Sequence, residues 1–155
     1  MTPEKKQLLL QDLSARLMYG VNVQMFAKEF DNKVHEYNVE LNTEILQIMM
    51  DEKDIVYLPY LRPMSSMTEE EARTIFEISG CKSKDILQIK ITDEYLEAEI
   101  DDGCYSFERH VIWYNEIVNS IQIFDFLVSN HFDYRGLIPM GLALPAPEGM
   151  YNIKK

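Results

Sequence analysis

Along the chain the spacing of apolar positions changes several times between the helical period and strict alternation. Residues 2–18 carry Leu10, Leu13 and Leu17 at helical spacing, with Thr2 placed as N-cap, Pro3 at the first helical position and Gly20 as the stop. From Val21 the period shortens to two: Val21, Val23, Met25 and Ala27 alternate with Asn22, Gln24 and Phe26. Asp31 and Asn32 offer a turn into 33–41, where Tyr37, Val39 and Leu41 alternate with Asn38 and Glu40. Asn42 and Thr43 suit a tight connection to 44–50, and 51–54 leads to 55–58, which predicts four short strands in an antiparallel meander. A small SH3-like barrel is one form of such a meander.

Pro59 and Pro63 then bracket an extended link, since proline lacks the ladder donor and turns its predecessor away from helix. A second helix opens at the capping box of Thr68 and Glu71, sets Ala72, Ile75, Phe76 and Ser79 on one face, and stops at Gly80. Alternation resumes in Leu87, Ile89 and Ile91 and in Leu96, Ala98 and Ile100, after which Asp102 and Gly103 turn into 104–107, with 109–114 as an extension. A third helix over about 115–130 follows from Ile117, Ile121, Phe124, Leu127 and Val128. The tail from Gly136 is broken by Pro139, Gly141, Pro145, Pro147 and Gly149 yet keeps Leu137, Ile138, Leu142, Leu144 and Tyr151, the pattern of an extended strap packed on the body. The expected fold is α+β: two antiparallel meanders, three helices and a packed C-terminal strap. It forms one compact unit over 1–155, with sub-halves at 1–66 and 67–155.

Charge narrows the partners. The 155 residues hold 15 Lys and Arg against 26 Asp and Glu, a net charge of −11, so a surface built to neutralise phosphates is not expected, nor direct nucleic-acid or membrane binding. Up to residue 80 there are 8 basic and 14 acidic residues and beyond it 7 and 12, so no acidic tail produces this balance. Leu8, Leu9 and Leu10 are interrupted at once by Gln11 and Asp12, too short a run for a leader or a span. Cys81 and Cys104 lack the C-x-x-C pattern, which fits a reduced, cytoplasmic setting.

Two constellations stand out. The base-free stretch 93–102 places Glu97, Glu99 and Asp101 on one face of a strand, ordinarily a solvated face relieved by Lys90. As a phosphate mimic it would need a second acidic row, because same-face carboxylates lie about 6.8 Å apart and DNA phosphates about 3.4 Å. The other is an aromatic set at both ends of the third helix, Trp113 and Tyr114 before it and His131, Phe132, Tyr134 and Arg135 after it. These are the residue types that anchor protein interfaces, and also those that complete a small core. Thiol catalysis would need Cys81 or Cys104 beside His35, His110 or His131, a pairing that spacing does not supply. Zinc, calcium, nucleotide-loop and hydrolase-elbow motifs are absent, so no catalytic residue, metal or cofactor is expected.

Three word strings carry a resemblance: PYLRPMSSMTEEE at 59–71, HFDYRGLI at 131–138 and GLALPAPEGMY at 141–151. They resemble an uncharacterised family of small proteins recurrent in phages and prophages of gut anaerobes. The chain departs from that pattern at Pro139 and Met140, where charged residues are usual, and at Pro145, where an acid is usual. The resemblance implies a mobile-element origin and a host-cell cytoplasmic setting, and carries no activity. The expectation is therefore a non-enzymatic accessory protein acting by protein–protein contact, with a homo-oligomer as one form. The alternative is an acidic inhibitor occupying a nucleic-acid site on a host defence or replication protein, and a small-molecule-binding or hydrolytic protein comes third.

Overall fold

Helix α1 (Pro3–Arg16) begins at the expected cap: the Thr2 hydroxyl accepts from the Lys5 amide at 3.3 Å, and Pro3 occupies the first turn, where no donor is needed. The computed structural model describes residues 1–28, 34–51, 55–101, 103, 106–114 and 120–151. The buried stripe of α1 is Leu9, Asp12, Leu13 and Arg16, rotated from the expected Leu10, Leu13 and Leu17, with Leu10 and Leu17 at the rim of the core. Its two charged members neutralise each other, Arg16 Nε donating to Asp12 Oδ2 at 2.6 Å with both side chains fully buried. Asp12→Ala removes this counter-ion inside the core and is expected to cost about 3 kcal/mol in urea denaturation; a loss under about 1 kcal/mol would mean that the pair is neutral to stability.

β1 (Asn22–Lys28) pairs antiparallel with β2 (Val34–Glu40), from Asn22↔Glu40 to Lys28↔Val34, and on its other side with β3 (Val56–Leu61). Between them the expected strand at 44–50 is instead helix α2 (Thr43–Asp51). Asn42 Oδ1 accepts from the Ile45 amide at 2.9 Å as a helix cap, and Ile45, Leu46, Ile48 and Met49 fall on one helical face that packs on the core. A short apolar run fits either period, and the cap decides between them. The described residues thus hold four α-helices where three were expected, and β1 to β3 form no continuous meander. A further strand, β7 (Leu144–Pro145), joins β3 in parallel, so among the described residues the sheet runs β2-β1-β3-β7, open at both edges in place of an SH3-like barrel. The expected turns at Asp31 and Asn32 and at 52–54 lie outside the described residues.

The C-terminal segment is a packed strap. Leu137, Leu142 and Ala143 are buried among Leu9, Leu13, Val23 and Leu61, and the Ala146 amide donates to the Leu61 carbonyl at 2.8 Å. Tyr151 pins its end, donating to the Tyr60 carbonyl at 2.8 Å and accepting from the Asn22 amide at 3.1 Å. Met1–Leu61 and Gly136–Lys155 therefore make one compact unit and Arg62–Arg135 another. The first is discontinuous in sequence, which no single cut near residue 66 can express.

In the second unit, α3 (Glu69–Ile78) has both halves of its capping box and buries Ala72, Ile75 and Phe76. β4 (Ile86–Ile91), β5 (Tyr95–Asp101) and β6 (Phe107–Trp113) form an antiparallel meander in the order β4-β5-β6, with the third strand on the segment expected only as its extension; Asp102 of the expected turn and 104–105 of the expected strand lie outside the described residues. Helix α4 (Ile121–Ser129) starts at Ser120, whose hydroxyl accepts from the Ile123 amide; the expected start at 115–119 lies outside the described residues. α4 ends at Ser129, close to the expected 130. His131, at φ 61°, takes the left-handed position after the helix, and the Phe132 amide returns to the Leu127 carbonyl at 2.9 Å.

Arg62 joins two of the distinctive strings. Its amide donates to the His131 carbonyl and its carbonyl accepts from the Asp133 amide, both at 2.8 Å, while its guanidinium lies 4.1 Å over the Phe132 ring. The same guanidinium grips Glu71 through both oxygens, at 2.7 and 2.9 Å, and reaches the Ser66 carbonyl at 3.3 Å. One carboxylate thus closes the cap of α3 and the clamp on Arg62.

Candidate functional site

Glu97, Glu99 and Asp101 lie on the outer face of β5, opposite the fully buried Leu96 and Ala98. Register places Glu97 between Lys90 and Val111, Glu99 between Gln88 and Arg109, and Asp101 opposite Phe107. Arg109 Nε lies 3.3 Å from Glu97, so both flanking strands set a cation beside the acidic row and neither supplies a second row of acids. Lys90 donates to the Tyr95 hydroxyl at 2.7 Å, and this bond, with Glu97 nearby, holds its ammonium above the ordinary lysine range. The same face ends in an aromatic pair, Tyr95 and Trp113, with ring centroids 5.0 Å apart. Trp113 is 43% exposed and Val111 42%, both on the edge strand β6.

The aromatic set around α4 divides by burial. Tyr114, His131, Phe132 and Tyr134 are buried, Arg135 is half-buried and Trp113 is exposed. Tyr134 meets Phe124 edge-on at 5.4 Å and accepts from Arg135 Nε at 2.7 Å. Burial, and then the charge of Asp93, push the Tyr114 hydroxyl well above its usual range. These four residues pack the second unit, and among the six only Trp113 and Arg135 reach solvent. The side-chain types alone could not make this division, because interface and core draw on the same residues.

One pairing that spacing could not supply is made in space. Cys81 Sγ lies 3.7 Å from His110 Nδ1, and His110 Nε2 lies 3.9 Å from a Glu108 carboxylate oxygen. Cys104 lies outside the described residues. No group of three His, Cys, Asp or Glu among the described residues is placed to hold a metal ion. In the first unit an open groove of about 450 Å³ is lined by Lys6, Leu9, Leu10, Met49, Ile55 and Tyr57. Among the described residues no helix is long and apolar enough to cross a membrane.

Comparison with protein-family models, with curated proteins and with solved structures finds no match to this chain.

Proposed function

We propose that the protein is a non-enzymatic accessory protein of phage or prophage type, working in the host-cell cytoplasm by protein–protein contact through the outer face of β4-β5-β6. The observation that carries this reading is the exposed Trp113, packed at a tilt against Tyr95 and continued by Val111 along an edge strand. A large ring held by a neighbour loses little freedom on docking, and such rings dominate interface energies. The mixed charges around it, Lys90, Glu97, Glu99 and Arg109, suit a polar rim. The resemblance of the three word strings supports the phage setting, and two cysteines without a C-x-x-C pattern fit a reduced compartment. Self-association is the homo-oligomeric form of the same reading.

The acidic inhibitor is the second reading, and the cations at Lys90 and Arg109 count against it, because they stand on the flanking strands where the second acidic row of a phosphate mimic would be needed. Affinity capture from host lysate, with sedimentation of the purified protein, separates the two. Partner capture or self-association that survives about 0.3 M salt and drops at least about tenfold in Trp113→Ala is expected. Binding lost in that salt and in Glu97→Gln/Glu99→Gln, with Trp113→Ala unaffected, would favour the inhibitor. Binding indifferent to both variants would remove this face from the function.

A further inference from the structure

We propose that Cys81 is a covalent modification site, a thiol served by His110 that exchanges with low-molecular-weight disulfides and carries the resulting half as a mixed disulfide. Three side chains stand in series. The Cys81 sulfur faces one ring nitrogen of His110 at 3.7 Å, and the other ring nitrogen faces Glu108 at 3.9 Å. Such a series lets the imidazole accept the thiol proton at Nδ1, with the carboxylate on the far side of the ring. Because the thiol and the carboxylate sit on opposite sides of the ring, they do not converge on one metal ion, and the arrangement is suited to moving a proton.

The backbone positions each member. Gly80 turns at φ +99° and the Cys81 amide returns to the Phe76 carbonyl at 2.9 Å, which sets the sulfur just beyond the C-terminal end of α3. Glu108 and His110 are two residues apart on edge strand β6 and share one face, the face opposite that of Trp113, Val111 and Arg109. His110 and Glu108 are 51% and 68% exposed and Cys81 is half-buried, so a small reagent has access while the thiol remains anchored.

The step balances without a further reactant. His110 accepts the Cys81 proton, and the thiolate attacks one sulfur of the small disulfide, forming a Cys81 S–S bond as the reagent's own S–S bond breaks. The released half leaves as a thiolate and takes up a proton from His110 or water. Cys81 and the bound half end at the disulfide level, and the released half is reduced. One equivalent reacts at Cys81, so this is modification and not turnover.

The test exposes the full-length protein to glutathione disulfide and assigns the adduct by peptide mass mapping. At pH 7 Cys81 is expected to form the mixed disulfide about tenfold faster than in His110→Gln, with Glu108→Gln intermediate. At about pH 10, where thiols ionise unaided, wild type and His110→Gln should react alike, which a purely structural role for the histidine would not produce. Circular dichroism of both variants checks that the fold is kept. Equal rates at pH 7 in the folded His110→Gln variant, or an adduct at Cys104 with Cys81 unreacted, would overturn the assignment.

Discussion

Arg62→Ala is expected to destabilise the unit Arg62–Arg135 by about 3–5 kcal/mol, the range for breaking a buried ion pair from one side. The two partners are 11% and 9% exposed, so the carboxylate left behind keeps its desolvation cost and loses both guanidinium bonds. The Thr68 amide and hydroxyl still donate to Glu71, at 2.8 and 3.1 Å, but neither carries a charge. Loss of the cation over Phe132 and of the Ser66 contact adds to the effect. Arg62→Lys should recover only part of it, because an ammonium cannot reproduce the planar two-point grip. The single tryptophan, Trp113, belongs to this unit, so its fluorescence in urea follows the transition directly. A shift under about 1 kcal/mol would show the clamp to be neutral.

The same clamp predicts a pH dependence. Burial works to raise the Glu71 pKa, yet the Arg62 hydrogen bonds, the Thr68 amide and the Arg62 charge together hold it below its ordinary value of 4.5. A carboxylate depressed in the folded state contributes stability that is complete above the unfolded pKa and is lost as pH falls through the folded one. The stability gap between wild type and Glu71→Gln should therefore be steady near neutrality and narrow as pH drops below about 4.5. A gap that stays constant down to pH 3 would sink this assignment.

Deleting 137–155 is expected to leave the first unit unable to hold its fold. Leu137 and Leu142 are 0% and 5% exposed, and fully burying a leucine contributes about 1.5–3 kcal/mol. The deletion also uncovers the edge of β3 by removing β7 and the Ala146 amide bond, and it takes away the Tyr151 hydroxyl from Asn22 and Tyr60. Together these exceed about 5 kcal/mol, the lower end of what a domain has in reserve. Lost amide-exchange protection in β1 and β3 is the expected readout, and an unchanged melting temperature would refute it. Leu137→Ala gives a graded version, about 2–5 kcal/mol, in a chain that retains the strap.

Legibility in the sequence varied with the kind of signal. Caps read well: Thr2, Thr68 and Glu71 act as their types suggest, since a side-chain oxygen three residues from an unpaired amide is a local matter. Alternation read well in β5, where each inward residue has an outward neighbour of opposite polarity. The run 44–50 is ambiguous in the sequence because its apolar residues fit both periods, and only the cap at Asn42 separates helix from strand. The stripe of α1 misled because Asp12 and Arg16, taken one at a time, belong in water and become buriable only as a pair. At the candidate site the cysteines and histidines were all visible as candidates, yet the partnership of Cys81 and His110 joins the end of α3 to a strand 29 residues on.

By itself, then, the sequence determined the α+β class, the capped starts of α1 and α3, the alternating strands β4 and β5, and an apolar tail broken by proline and glycine, all of which are written in patterns a few residues long. Only the tertiary structure decided that the strap adds a parallel strand beside β3, that Arg62 ties the link after β3 to the turn after α4, and that Trp113 faces solvent while Tyr114 is buried. The first two depend on backbone partners far apart in the chain. The last depends on which side of one strand end is covered, and side-chain chemistry common to cores and interfaces leaves that open until the chain has folded.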